Sequence, residues 1–302
     1  MPDKLNARRP VPAFLSGILA ALLVAGCGGE SGAPASGTDE ARRNVEAMAR
    51  EHAADTSDPS PGTLPAPRRE VVGERLPYAE INDELVYGYF VFPADMIEPL
   101  PAILVIHEWW GLNDNVRTMS ERLAGEGYIV LAVDLYGGKT ADSPGAAREL
   151  MTTVVEKPTV AEENIRSAHD FLTATAGAPA VASLGWCFGG GWSLNAAALL
   201  GGELDAAVIY YGQVTADDEK LKPVEAEILG LFGAADRGIS VDSVRAFEAA
   251  LERLDKPHEI HVYPGAGHAF ANPTGNNYDA EAAADAWART LAFLARTLNP
   301  AD

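Results

Sequence analysis

From about Glu70 onward, short apolar runs alternate with amphipathic stretches. Val71–Ala79 and Leu85–Pro93 predict two strands that form a β-hairpin. Ala102–Ile106 and Tyr128–Val133 are continuous apolar runs, which is typical of strands buried on both faces. Further strands are predicted at Val181–Trp186, Ala206–Tyr211, Glu227–Phe232 and Glu259–Tyr263.

Amphipathic segments with an apolar residue every three or four positions separate these runs. The predicted helices are Asp114–Gly125 with Asn113 as N-cap, Val160–Ala176, Phe188–Leu200, a helix striped by Val244, Phe247, Leu251 and Leu254, and a last one striped by Trp287, Leu291, Leu294 and Leu298. Alternating strands and helices predict an α/β domain with a mostly parallel central sheet and helices on both faces. Ligands of such sheets bind beyond the carboxyl ends of the strands, so the residues after each strand are candidates for function.

The first 26 residues have the pattern of a secretory signal. Basic residues precede an apolar run from Ala13 to Gly26, which is short for a transmembrane helix. The run ends Val24-Ala25-Gly26-Cys27, which resembles a bacterial lipobox and implies cleavage before Cys27 and lipid on its thiol. Because Gly28 rather than aspartate follows, the resemblance implies an outer-membrane anchor facing the periplasm. The alternative is a plain signal peptide with an incidental cysteine.

Residues 27–69 predict a flexible tether between this anchor and a catalytic domain over residues 70–302. The segment is rich in Gly, Ser, Ala, Pro and Asp, and a stretch such as Asp58–Gly62 cannot bury apolar surface. Asp39–His52 could form a short helix, but it shows no strong apolar stripe.

Charge and cysteine content exclude several functional classes. The formal net charge is −20, which disfavours nucleic acid as a partner and is most simply explained by solubility. Two cysteines exclude a disulfide framework. The histidines form no metal-ligand cluster, so we expect neither a metal nor a cofactor. We expect a monomer.

One strand-to-helix junction carries a candidate nucleophile. Gly185-Trp186-Cys187-Phe188-Gly189 has the form of a nucleophile elbow, in which glycines two residues either side let neighbouring backbone pass closely. Cys187 would lie at a helix N-terminus, where the dipole favours the thiolate. The alternative is a buried structural cysteine.

Two further strand ends supply an acid and a base. Asp236 follows the strand Glu227–Phe232, and His268 follows Glu259–Tyr263. Nucleophile, acid and histidine in this order match the α/β-hydrolase order. His268 can take the thiol proton and Asp236 can fix its tautomer, although Asp236 alone could equally cap a loop.

Several motifs together resemble the dienelactone hydrolase family over about Glu70 to Leu298. They are His107-Glu108-Trp109-Trp110-Gly111, Val133-Asp134-Leu135-Tyr136-Gly137, Gly185-Trp186-Cys187-Phe188-Gly189-Gly190, Tyr210-Tyr211-Gly212 and Gly265-Ala266-Gly267-His268-Ala269-Phe270. The resemblance implies an α/β-hydrolase fold with Cys187, His268 and Asp236 as the triad. It also implies that Glu108 contacts the thiol before substrate arrives, and that the backbone N–H groups of Trp109 and Phe188 form the oxyanion hole.

Four residues are candidates for contact with the substrate. Asn272 stands where relatives that bind a carboxylate-bearing lactone place an arginine, so we expect neutral esters to be preferred. Arg148 is a candidate for a second substrate arginine, and Trp110 and Tyr136 are candidate pocket residues, although Trp109 and Trp110 could equally be core.

The predicted function is hydrolysis of a carboxylic ester or lactone by a Cys-His-Asp triad through an acyl-enzyme, with a small-molecule substrate. Two alternatives stay open at this point. One is a peptidase or thioesterase on the same fold, which shares the acyl-transfer chemistry. The other is a binding lipoprotein that has no catalytic activity.

The lipobox generates a direct prediction. Cys27→Ser should release the protein from membranes, because the lipid needs that thiol. Fractionation of cells that express either form would measure this. Variant protein that stays in the membrane fraction would contradict the lipobox interpretation.

Overall fold

The computed structural model describes residues 37–53 and 65–298. The predicted signal peptide and Cys27 lie outside the described residues. The strands are β1 (Val71–Ile81), β2 (Glu84–Pro93), β3 (Ala102–Ile106), β4 (Ile129–Val133), β5 (Val181–Trp186), β6 (Ala206–Tyr210), β7 (Glu227–Gly233) and β8 (His258–Tyr263). The helices are α1 (Gly37–Glu51), α2 (Asp114–Gly125), α3 (Pro144–Glu156), α4 (Pro158–Asp170), α5 (Phe188–Leu200), α6 (Asp218–Leu221), α7 (Val241–Arg253) and α8 (Ala280–Leu298).

All eight strands form one sheet in the order β1-β2-β4-β3-β5-β6-β7-β8. The β1–β2 and β2–β4 pairs are antiparallel, and the remaining pairs are parallel. Strands β3, β4, β5 and β6 are buried along their whole length, as their continuous apolar sequences predict for a sheet covered on both faces. The predicted α/β architecture is therefore confirmed.

Parallel pairing brings four chemically important loops to one edge of the sheet. Glu108, Cys187, Asp236 and His268 each follow the carboxyl end of a strand, namely β3, β5, β7 and β8. Residues 80 positions apart in sequence can therefore meet at this edge.

Most local predictions hold. The hairpin forms, and Asn113 caps α2 by accepting a hydrogen bond from the Val116 N–H at 3.2 Å. The helix predicted over Val160–Ala176 begins earlier, at Pro158, and ends in a π turn over Phe171–Thr175. Helix α3 was not predicted, because its apolar stripe is weak and it follows a polar loop over residues 137–143.

The predicted flexible tether over 27–69 is wrong for part of its length. Residues 37–51 form helix α1, whose Val45 and Met48 are buried and whose surface contacts α3. Val45, Met48 and His52 are spaced three and four apart, so they lie on one helix face and pack against the domain. Within the described residues, none of the helices is both long and apolar enough to cross a bilayer.

Candidate active site

The turn between β5 and α5 lifts Cys187 above the sheet edge. Its φ of 57° is in the left-handed region, which is unusual for a residue other than glycine. A Cβ on Gly185 would lie 2.1 Å from the Gly189 carbonyl oxygen, and one on Gly189 would lie 2.1 Å from that of Ile106. Both flanking glycines are therefore required sterically, as the elbow motif predicts.

The Cys187 sulfur is buried between groups with opposite effects on its charge. Burial, the largest cause, and the Glu108 carboxylate raise the pKa of the thiol well above its usual range. Hydrogen bonds from the backbone N–H groups of Phe188 and Trp109 act in the opposite direction, but they do not outweigh the burial. Burial therefore outweighs the helix N-terminus that was expected to favour the thiolate, and the pKa of the thiol is raised rather than lowered. The two predicted oxyanion-hole donors do lie at the sulfur.

His268 and Asp236 form a buried pair. The Nδ1–H of His268 donates to Asp236 Oδ2 at 2.7 Å, and the two side chains are 2% and 1% exposed. Asp236 Oδ1 accepts from the backbone N–H groups of Gly238 and Ile239, both at 2.8 Å, which fixes the carboxylate. The hydrogen bond from His268 Nδ1–H to Asp236 sets the tautomer of His268 and leaves its Nε2 as the proton acceptor. Among the described residues, Nε2 has no hydrogen-bond partner.

The nucleophile and the base are not hydrogen-bonded to each other in the described part of the chain. The Cys187 thiol instead lies against Met48 of helix α1, with 3.5 Å between Sγ and Sδ. His52, one turn further along, places its ring 4.5 Å from that of His268 and 5.5 Å from that of Trp109, between centroids. Sequence analysis missed both residues because it assigned them to the tether.

Glu108 is held in place by Asn272. The Asn272 Nδ2 donates to Glu108 Oε2 at 2.6 Å, while its Oδ1 accepts from the N–H and hydroxyl of Thr274 at 2.9 and 2.7 Å. Asn272 is therefore a support for Glu108 in this structure. Beside it lies a small cleft of about 10 Å³, about the space of one water molecule. Its lining, Glu108, Asn115, Val116, Met119, Trp186, Tyr211, Ala271 and Asn272, includes no arginine or lysine.

His107 braces the loop that carries Glu108 and Trp109. Its Nδ1–H donates to the Glu108 carbonyl at 2.6 Å, and its Nε2 accepts from the Leu135 N–H at 3.1 Å. Burial lowers the pKa of this imidazole, which keeps it neutral and able to accept at one nitrogen. The Tyr136 hydroxyl donates to the Trp109 carbonyl at 3.2 Å. His107 and Tyr136 thus orient the loop whose Trp109 N–H points at the sulfur.

The other candidate substrate contacts are placed differently from expectation. Arg148, on α3, is half exposed and pairs with Glu46 of α1 at 3.4 Å, so it does not line the cleft. Trp110 is buried against Trp109, with ring centroids 4.8 Å apart, and is a packing residue here.

Comparison with protein-family models matches residues 86–298 to the model described as "Dienelactone hydrolase family". The match covers β2 to the end of α8 and includes every residue of the site except Met48 and His52.

Individual relatives agree with the family model. The chain is 31% identical over 242 residues to a "Putative carboxymethylenebutenolidase" of Saccharolobus solfataricus, across 68% of this chain and 93% of that one. It is 33% identical over 224 residues to an Escherichia coli K12 protein of the same description, across 68% and 81%.

A solved structure shows the same fold. It is described as a "Putative Dienelactone Hydrolase" from Klebsiella pneumoniae and superimposes with a TM-score of 0.68 at 27% identity, covering 76% of this chain and all of that one. The eight-stranded sheet is therefore that of an α/β-hydrolase. This chain belongs to the dienelactone hydrolase family and is a hydrolase of the ester or lactone type.

Proposed function

We propose that the protein hydrolyses carboxylic esters or lactones through an acyl-enzyme on Cys187, with His268 as base and Asp236 as the acid that orients it. The observation that carries the proposal is the buried His268–Asp236 hydrogen bond at the sheet edge where Cys187 is raised on a strained elbow. A buried carboxylate that fixes one imidazole tautomer has little use in a binding protein, and it is what a general base needs.

Acylation begins with loss of the thiol proton. The proton passes to His268 Nε2, and Sγ attacks the carbonyl carbon while its oxygen gains the negative charge. The N–H groups of Trp109 and Phe188 lie at the sulfur, where they favour its negatively charged form. Once the sulfur turns to its substrate, the same donors can bind the oxyanion, each worth roughly 3 kcal/mol in the transition state.

Collapse of that intermediate completes the cycle. The C–O bond to the leaving alcohol breaks, and the imidazolium returns the proton to that oxygen. Water then attacks the thioester while His268 takes its proton. The C–S bond breaks and the imidazolium returns that proton to the sulfur, which releases the acid and restores the thiol and the free base.

Glu108 adds to burial in favouring the protonated form of the resting thiol. Its carboxylate faces the sulfur and disfavours the thiolate, while Asn272 keeps it there. We infer that the enzyme rests with a protonated nucleophile and forms thiolate only when substrate changes this balance.

Anchoring remains a proposal that rests on the lipobox alone. Lipid on Cys27 would hold the hydrolase at the outer membrane, facing the periplasm, and would restrict it to substrates that reach that compartment.

Cys187→Ala should lower kcat for an activated ester by about 10⁴-fold or more, because one thiol carries the covalent step. The assay is release of p-nitrophenol, including any burst from acyl-enzyme. Cys27→Ser, which removes the other thiol, is the control and should keep full activity. Turnover near the wild-type rate in the Cys187 variant would end the proposal.

Glu108→Gln should lower the pKa of the Cys187 thiol, because it removes the negative charge that raises it. More thiolate then exists below that pKa, so alkylation of Cys187 by iodoacetamide at pH 8 should become severalfold faster, with its pH midpoint moved downward. Glu121→Gln is the control, because Glu121 is a carboxylate of α2 that accepts a hydrogen bond from the Tyr89 hydroxyl of β2. An unchanged or upward-moved midpoint would contradict the role given to Glu108.

Asn272→Arg should raise kcat/KM for an anionic lactone relative to its neutral analogue by about 10-fold or more, because a charge-assisted contact contributes about 1.5–3 kcal/mol. Gln213→Arg adds the same charge at an exposed position outside the cleft lining and controls for net charge. Both are measured at fixed ionic strength. A wild-type preference for the anion would refute the assignment of neutral substrates.

A further inference from the structure

Helix α1 touches three parts of the catalytic machinery at once. Met48 contacts the Cys187 sulfur, and His52 packs on the rings of His268 and Trp109. Met48 and His52 are 8% and 2% exposed, so the contact excludes water from the thiol and the imidazole. The helix thus covers the nucleophile, the base and the oxyanion loop together.

Met48 leaves little room for a substrate beside the sulfur. A carbonyl carbon about to be attacked lies roughly 3–3.5 Å from the nucleophile. The Met48 Sδ lies at that same distance, 3.5 Å, from Sγ. The cleft of about 10 Å³ beside Glu108 and Asn272 has space for about one water molecule. A larger pocket of about 1100 Å³ is lined by Ala47, Arg50 and His268, but Cys187 is not part of its lining.

The contacts that hold α1 suit a helix that can leave. Two ion pairs tie it to α3, Arg42–Glu156 at 2.7 Å and Glu46–Arg148 at 3.4 Å. All four side chains are about half exposed, so each pair contributes little. Among the described residues of the segment, Val45, Met48 and His52 form a buried face that also attaches it to the domain. A single helix held by one buried face and exposed ion pairs can open locally before the domain unfolds.

We propose that α1 is a lid that gates the Cys187 site, closing it with Met48 and His52 and leaving it before substrate can be acylated. The inference rests on the proposed function, since it takes Cys187 as the nucleophile. Opening would also expose the sulfur to water and so remove the burial that is the main cause of its raised pKa. Admission of substrate and activation of the thiol would then be one event.

The test weakens the lid without touching the machinery. Val45→Asn in the full chain places an amide on the buried face, whereas Arg43→Asn places it on the exposed face of the same helix. The readout is the rate at which iodoacetamide alkylates Cys187, followed by mass spectrometry of its own peptide so that Cys27 does not interfere. We expect Val45→Asn to react about tenfold faster or more than wild type, and Arg43→Asn to match wild type. Equal rates in all three would overturn the lid.

A charge exchange gives a second, surface-only test. Glu46→Arg should repel Arg148 and speed alkylation, and adding Arg148→Glu should restore the slow rate by re-forming the pair. If Glu46→Arg speeds alkylation but the added Arg148→Glu does not restore the wild-type rate, the docking of α1 on α3 does not control access to Cys187.

Measuring ester hydrolysis as well as alkylation tests the lid separately from the proposed function. Under a gate, kcat/KM for p-nitrophenyl acetate rises in Val45→Asn by about the same factor as alkylation. Faster alkylation with unchanged kcat/KM would overturn α1 as a gate. If Val45→Asn is alkylated faster but neither it nor the wild type hydrolyses the ester, α1 covers Cys187 as proposed and the proposed hydrolase function is refuted.

Discussion

The close passage of backbone at the β5–α5 turn is the constraint on which the site depends. Gly189 lies so near the Ile106 carbonyl that a single added carbon would overlap it, and Gly185 is equally close to Gly189. This closeness forces Cys187 into the left-handed region and lifts its side chain above the sheet edge. Gly189 also lies close to the His107 carbonyl, so the turn that carries Phe188 touches the loop that carries Trp109.

Around the Cys187 sulfur, the charged side chains are carboxylates and the hydrogen-bond donors are backbone N–H groups. Glu108 and Asp236 are carboxylates within reach of the sulfur, and no lysine or arginine lines the adjacent cleft. Backbone N–H groups are then the principal stabilisers of negative charge. Such donors need no counter-charge and do not reorganise during a reaction.

Polar support of the site is distributed over residues that do no chemistry. Asn272 fixes Glu108, His107 and Tyr136 fix the loop of Trp109, and two backbone N–H groups fix Asp236. Each of these side chains is buried with its hydrogen bonds made, which holds the catalytic groups at defined positions. The dienelactone hydrolase fold of this chain therefore carries a preorganised site under a helix that lies outside the family match.

The sequence by itself determined the strands, the elbow and the His–Asp pair. These follow from local rules: apolar runs form buried strands, glycines permit close passage, and polar residues after parallel strands meet at one edge. The tertiary structure alone decided the order of the strands in the sheet, the raised pKa of the thiol, the role of Asn272 and the docking of α1. Those depend on burial and on partners far apart in the chain, such as Met48 and Cys187. Val45, Met48 and His52 can be recognised as a buried helix face only when the surface that they pack against is known.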